Sequence, residues 1–131
     1  MSGGRSVLLA SIIVAVALVA CGPRARAPLK VMEKDSGSMI ELRVGEQIDL
    51  VLDANPSTGY AWEVAGEVGV VKQVGEPQFQ AESQALGAGG KMTIRFEAVA
   101  PGKEWLRLVY RRSWEEGVAP AKTFELYVVV K

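Results

Sequence analysis

Apolar and polar residues alternate one for one through most of this chain, a period that suits half-buried strands and no helix. Ile40, Leu42 and Val44 are separated by Glu41 and Arg43. Ile48, Leu50 and Leu52 alternate with Asp49, Val51 and Asp53. Met92, Ile94, Phe96 and Ala98 alternate with Thr93, Arg95 and Glu97, and Leu106, Leu108 and Tyr110 with Arg107 and Val109. Phe124, Leu126, Val128 and Val130 alternate with Glu125, Tyr127 and Val129. Each pattern sends one face inward and the other to water, as in an antiparallel sheet covered on one side. Weaker strands fit Lys30–Glu33, Ala61–Val64, Val68–Val74 and Gln78–Ala81.

Turn signals punctuate the runs at Gly45-Glu46, Asn55-Pro56, Thr58-Gly59, Gly75-Glu76-Pro77, Gly87 to Gly90, Pro101-Gly102 and Gly117 to Pro120. Seven or eight short strands in about 100 residues predict an all-β fold, an immunoglobulin-like antiparallel β-sandwich. Trp62 and Trp105 fall within strand patterns and are expected in its core. Gln80 to Gly90 is the longest stretch without strand character and is expected to be a mobile loop.

The chain begins differently. After Arg5 comes an apolar run from Val7 to Ala20, interrupted only by Ser11. It is too short to span a hydrocarbon core of about 30 Å, and with its basic start it predicts a secretory signal over residues 1–20. Leu18-Val19-Ala20-Cys21 resembles a bacterial lipobox, in which the cysteine is acylated and becomes the first residue of the mature protein. An ordinary thiol within a membrane-spanning segment is the alternative reading, and the length of the run speaks against it. Residues 21–28, with Gly22, Pro23 and Pro28, read as a tether. Arg24 and Arg26 could face anionic headgroups or simply be solvated. Residues 29–131 then form the folded domain. The expected location is the bacterial cell envelope, lipid-anchored through Cys21. In a two-membrane cell this means the outer membrane facing the periplasm, because Gly22 is not the Asp that marks inner-membrane retention.

Composition removes most chemistries. The chain has no His and a single Cys, so it cannot build a Ser-His-Asp or Cys-His pair, a His/Cys zinc site or an internal disulfide. Fifteen basic residues balance fifteen acidic ones, which argues against nucleic acid as a partner. Most carboxylates fall on the exposed faces of predicted strands. The one adjacent pair, Glu115-Glu116, sits in a loop without the separation a glycosidase needs. What survives is a binding module, or an enzyme using only carboxylates, Lys, Tyr or hydroxyls. With no catalytic constellation in view, the expectation is a binding module without catalytic residues, metal or cofactor, and the chain is expected to be a monomer.

The loop Asn55-Pro56-Ser57-Thr58-Gly59-Tyr60 carries the most information. Pro56 fixes its own φ and pushes Asn55 toward an extended conformation, and Gly59 permits a positive φ. A stiff, projecting loop with accessible main chain follows. Taken alone it also fits a plain turn capped by Asn55. Gly87-Ala88-Gly89-Gly90 precedes the Met92 strand, and Tyr110-Arg111-Arg112-Ser113-Trp114 follows the Leu106 strand. In this order the three segments resemble the chagasin family of cysteine-peptidase inhibitors, whose signatures are Asn-Pro-x-Thr-Gly-Tyr, Gly-x-Gly-Gly and Arg-Pro-Trp. The likeness covers most of residues 30–131. Ser113 departs from it, standing where the family has Pro.

The resemblance implies an immunoglobulin-like fold with three loops gathered at one end. It also implies reversible, non-covalent inhibition of papain-like cysteine peptidases by insertion of those loops into the active-site cleft. Thr58 and Gly59 would lie near the catalytic cysteine, Gly87 to Gly90 would brace one wall of the cleft, and Arg112 and Trp114 would grip the other. Trp114 is the expected energetic anchor, with packing over the end of the sandwich as the alternative. Ser113 is expected to loosen the third loop and to weaken inhibition or make it more selective. The competing function is a lipid-anchored envelope binding or adhesion module with the same sandwich and no inhibitory activity.

Overall fold

A computed structural model describes residues 26–131 together with Gly3. Apart from Gly3, the expected signal peptide, the acylation site Cys21 and most of the expected tether lie outside the described residues.

Among the described residues nine strands form: β1 (Leu29–Met32), β2 (Met39–Leu42), β3 (Gln47–Ala54), β4 (Tyr60–Val64), β5 (Val71–Gln73), β6 (Gln78–Ala81), β7 (Gly90–Ala98), β8 (Gly102–Arg112) and β9 (Lys122–Val130). They make two sheets. One has the order β1-β3-β7-β5, with β6 also paired to β7, and the other has the order β2-β9-β8-β4. The strand count exceeds the expected seven or eight. The surplus lies in short strands, since the run along the edge of β7 is broken between β5 and β6, where Gly75 takes φ 72° and Pro77 lacks an amide to donate.

The alternation finds its physical cause in the facing interior. Ile48, Leu50 and Leu52 of β3 lie opposite Phe96, Ile94 and Met92 of β7. Across the sandwich, Leu106 and Leu108 of β8 pair with Leu126 and Phe124 of β9. All of these except Met92 are essentially inaccessible, and burying each such side chain contributes about 1.5–3 kcal/mol. The edges depart from the antiparallel expectation. β1 runs parallel to β3, and β2 parallel to β9. The chain crosses from one sheet to the other at a 3-10 turn over Glu33–Asp35, so consecutive strands do not become hairpin partners.

Three sequence expectations fail locally. Trp105 is 49% exposed. Leu106 and Leu108 set the inward phase of β8, which turns Trp105 outward against Tyr127, its cross-strand partner, at a ring separation of 5.2 Å. Val44 lies beyond the end of β2 and is exposed, whereas Val129, on the nominally outer face of β9, is buried. The long loop starts at Glu82 rather than Gln80, because β6 continues through Ala81 and pairs it with Gly90.

The registers define two poles. Ala54 pairs with Gly90 and Tyr60 with Arg112 at one end. Leu29 pairs with Ile48, and Gly102 with Val130, at the other.

Candidate functional site

Three connections meet at the first pole: β3 to β4 (residues 55–59), β6 to β7 (82–89) and β8 to β9 (113–121). The first is closed by its own atoms. Asn55 is extended (φ −142°), as a residue before proline should be. Its Oδ1 accepts from the Ser57 amide at 3.2 Å and from the Ser57 hydroxyl at 2.5 Å. Pro56–Thr58 form a single 3-10 turn, and Gly59 terminates it in the left-handed region at φ 81°. The Thr58 amide and hydroxyl both donate to the Asn55 carbonyl, at 3.1 and 2.6 Å, and the Gly59 amide donates to the Pro56 carbonyl at 3.1 Å. The turn capped by Asn55 and the stiff projecting loop are one structure.

Aromatic stacking roots this loop in the core. The indole of the buried Trp62 donates to the Asp53 carbonyl at 2.9 Å, and its ring centroid is 5.0 Å from that of Tyr110. Tyr110 stacks on Tyr60 at 5.2 Å, and its hydroxyl accepts the Asn55 amide at 2.9 Å. The Arg112 guanidinium lies 4.5 Å above the Tyr60 ring, close enough for cation–π attraction. The loop rises from a stacked column and does not hang from two flexible strand ends.

The third loop is strapped to the first. Arg112 Nε donates to the Thr58 carbonyl at 3.0 Å, while Nη1 reaches Glu115 at 3.0 Å. Trp114 lies over Gly59. A Cβ built there would collide with the indole, with Cζ2 at 3.1 Å and another ring carbon nearer still. Trp114 nevertheless stays 66% exposed, so its rim rests on the loop while most of the ring faces outward. Ser113 occupies the second position of a turn closed by the Glu115 amide on the Arg112 carbonyl at 3.2 Å.

Among the described residues, one hydrogen bond joins the second loop to the first. Asn55 Nδ2 donates to the Gly87 carbonyl at 3.0 Å. Gly87 takes φ 75°, and the half-buried Ala88 donates from its amide to Ala85. The Gly89 carbonyl accepts the Glu82 amide at 3.0 Å, closing the neck. Gly90 has a different task. It is buried inside β7 between Ala54 and Ala81, and a Cβ there would come within 2.8 Å of the Ala81 Cα and closer still to the Gln80 carbonyl oxygen.

The structure thus brings Asn55, Pro56, Ser57, Thr58, Gly59, Tyr60, Gly87, Arg112, Ser113 and Trp114 to one pole and sets Ala88 and Gly89 at its edge. Cys21 lies outside the described residues. The sequence reading missed Leu86, fully exposed at the tip of the second loop. A lone leucine in a stretch of small and polar residues was the available clue. It also missed Glu115, whose bridge to Arg112 needs coordinates to be seen.

Charge flanks the site on the side of β3. The Lys91 ammonium, hydrogen-bonded to Asp53, holds that carboxyl below the usual carboxylate range, and the same bond raises Lys91. Glu33 accepts the Asp53 amide at 3.1 Å and bridges to Lys122 at 3.3 Å. These contacts tie the sheet-crossing corner to the stem of the first loop.

Residues 41–128 match the model of the family described as Chagasin family peptidase inhibitor I42. Amoebiasin-1 of Entamoeba histolytica is 32% identical over 103 residues, which covers 79% of this chain and 100% of the relative. Chagasin of Trypanosoma cruzi is 30% identical over 106 residues, 76% of this chain and 94% of the relative. The crystal structure of the cysteine protease inhibitor EhICP2 from Entamoeba histolytica aligns with a TM-score of 0.71 at 26% identity, over 84% of this chain and 100% of that one.

Proposed function

The chain belongs to the chagasin family of cysteine-peptidase inhibitors, and we propose that it blocks papain-like peptidases by seating the three loops of one pole in the active-site cleft. One observation carries this reading: the first loop projects, yet its backbone is already committed. Acyl transfer needs a scissile carbonyl free to swing into an oxyanion hole. Here the Asn55 carbonyl accepts from Thr58, the Pro56 carbonyl from Gly59 and the Thr58 carbonyl from Arg112. A thiolate approaching the Thr58 carbonyl meets a closed turn that must be broken before it can be cut. Inhibition is then non-covalent and reversible.

Rigidity also favours affinity. Association costs at least about 4 kcal/mol of lost freedom before any loop is ordered, and a loop held by its own bonds adds little to that. Trp114 offers an exposed ring with one edge supported by Gly59. Such aromatic anchors commonly carry about 2 kcal/mol or more of a binding energy. Leu86 presents an apolar tip on the other flank.

The anchoring reading is a separate proposal: acylated Cys21 holds the chain in the cell envelope, at the outer membrane where there are two. The topology suits it. Described residues 26–28 lead into Leu29 at the pole opposite the loops, so a membrane-tethered chain presents its loops away from the bilayer. If Cys21→Ala still incorporates labelled fatty acid and stays in the membrane fraction, the anchor lies elsewhere.

The inhibitor reading is tested by titrating residues 22–131 against papain and a cathepsin L-type enzyme, with a serine peptidase as control. Stoichiometric, reversible loss of cysteine-peptidase activity is expected. Thr58→Arg should abolish it while the melting temperature falls by no more than the loss of the two exposed hydrogen bonds of the Thr58 hydroxyl implies. A folded sample without effect at micromolar concentration would overturn the reading.

A further inference from the structure

The third loop has a weak point and, beside it, a device that offsets it. Ser113 is the second residue of the Arg112–Glu115 turn. Proline at that position would pre-set φ and lower the entropy lost on ordering, but serine leaves the backbone free. Arg112 cannot secure the turn alone. Its Nε is spent on the Thr58 carbonyl and its ring-facing side on Tyr60, and a guanidinium held at one edge can still pivot. The second edge is held by Glu115, three residues on, at 3.0 Å, and both side chains are about one-third exposed.

We infer that Glu115 is a positioning residue for inhibition: by holding the far edge of the Arg112 guanidinium it locks a proline-less turn and keeps Trp114 seated over Gly59. This rests on the inhibitor reading and adds to it a residue that need not touch the peptidase. A charged staple and a proline are interchangeable solutions to the same problem. Their magnitudes agree, since a partly exposed ion pair and a compatible proline each shift an equilibrium by up to about fivefold. Two features favour the exchange. Arg112 is the last residue of strand β8, and strand residues have the extended form suited to precede proline. Ser113, like every non-glycine among the described residues, does not have a positive φ.

The test is a four-protein cycle: the natural chain, Glu115→Gln, Ser113→Pro and the double variant. Inhibition of papain is measured for each. Solvent exchange of the Arg112 Nε–H is followed by NMR in the free proteins. Glu115→Gln alone should weaken inhibition about threefold to fivefold and speed Nε–H exchange by a similar factor. On the Ser113→Pro background the same change should cost less than about twofold in both readouts, because proline already holds the turn. Equal losses on both backgrounds, with Nε–H exchange unmoved, would overturn the inference by making Glu115 a direct contact. No loss in either readout would overturn it as well. If the natural chain does not inhibit papain, the inhibitor reading falls, and the exchange data still decide whether Glu115 and Ser113 are coupled.

Discussion

Between Asn55 and Gly59 the chain spends its polar groups on itself: cap to amide, hydroxyl to carbonyl, amide to carbonyl. Between Glu82 and Gly89 it does so far less. That loop is closed at its neck by Glu82 and Gly89, carries two internal bonds, from the Ala88 amide to the Ala85 carbonyl and from the Ala85 amide to the Ser83 hydroxyl, and ends in a leucine with no cover. The first loop takes its shape chiefly from residues within it, with Tyr110 and Arg112 bracing it from β8. The second takes its shape from its stem, where β6 and β7 pair up to Gly90. An inhibitor can be rigid where it must resist cleavage and adaptable where it must fit different cleft walls, provided the two loops draw their order from different sources.

The sharpest way to break that contrast is Gly90→Ala. The new methyl would meet the backbone of Gln80 and Ala81, which cannot rotate aside as a side chain can. Overpacking of this kind costs about 3 kcal/mol, to be read by chemical denaturation. The damage should concentrate at β6 and the second loop, with amides there losing hydrogen-exchange protection while the Thr58 and Gly59 amides keep theirs. Uniform loss would mean that the first loop also depends on the β6 stem.

Gly59→Ala attacks the other partner. A side chain at φ 81° is strained by about 1 kcal/mol, and its Cβ would displace Trp114. Losing the Trp114 seat should weaken inhibition about thirtyfold or more, with a smaller change in stability than Gly90→Ala produces. If inhibition holds and only stability falls, Trp114 is not the anchor.

What the sequence made legible divides along the same line. The first loop could be read because its devices are local: Pro56 acts on Asn55, Asn55 on Ser57, and Gly59 on its own φ. The core phase of β3, β7, β8 and β9 was equally legible, since alternation records which face is buried. Long-range partners were not. Nothing in the alternation shows that β1 and β2 run parallel to β3 and β9, because a parallel edge strand keeps the same period. Trp105 misled because aromatic size argues for burial while phase decides it. The column from Trp62 through Tyr110 and Tyr60 to Arg112 exists only once β4 and β8 are in register. The internal bonds of Arg112 to Thr58, Glu115 and the Tyr60 ring are therefore invisible in the sequence, which shows only its place in the third motif.

Tyr110→Phe tests how far the first loop is self-sufficient. It removes the hydroxyl that accepts the partly buried Asn55 amide and leaves the ring stack in place. An amide left without a partner costs about 1–2 kcal/mol. Because the other bonds of the loop remain, inhibition should weaken only about fivefold, the factor that corresponds to the lower end of that cost. A collapse of inhibition comparable to that of Gly59→Ala would show that the loop borrows its order from β8 after all.

The smallest effect concerns Asp53, at the stem of the first loop. Its carboxyl is held below the usual carboxylate range chiefly by the hydrogen bond from Lys91. A carboxyl whose folded pKa is lowered contributes stability that is fully present above its unfolded value, about pH 4, and is lost as pH falls through the folded value. Asp53→Asn should therefore lower the melting temperature slightly at neutral pH, and the two proteins should converge in acid. The side chains of Asp53 and Lys91 are both close to half exposed, so solvent screens the pair and the gap should narrow further in salt. The amide of residue 53 still reaches Glu33 and its carbonyl still receives Trp62, which keeps the stem in place. Inhibition at neutral pH should stay within about twofold of the natural chain. A larger loss, appearing in inhibition and not in stability, would mean that charge at the stem steers the peptidase and that the first loop does not act by shape alone.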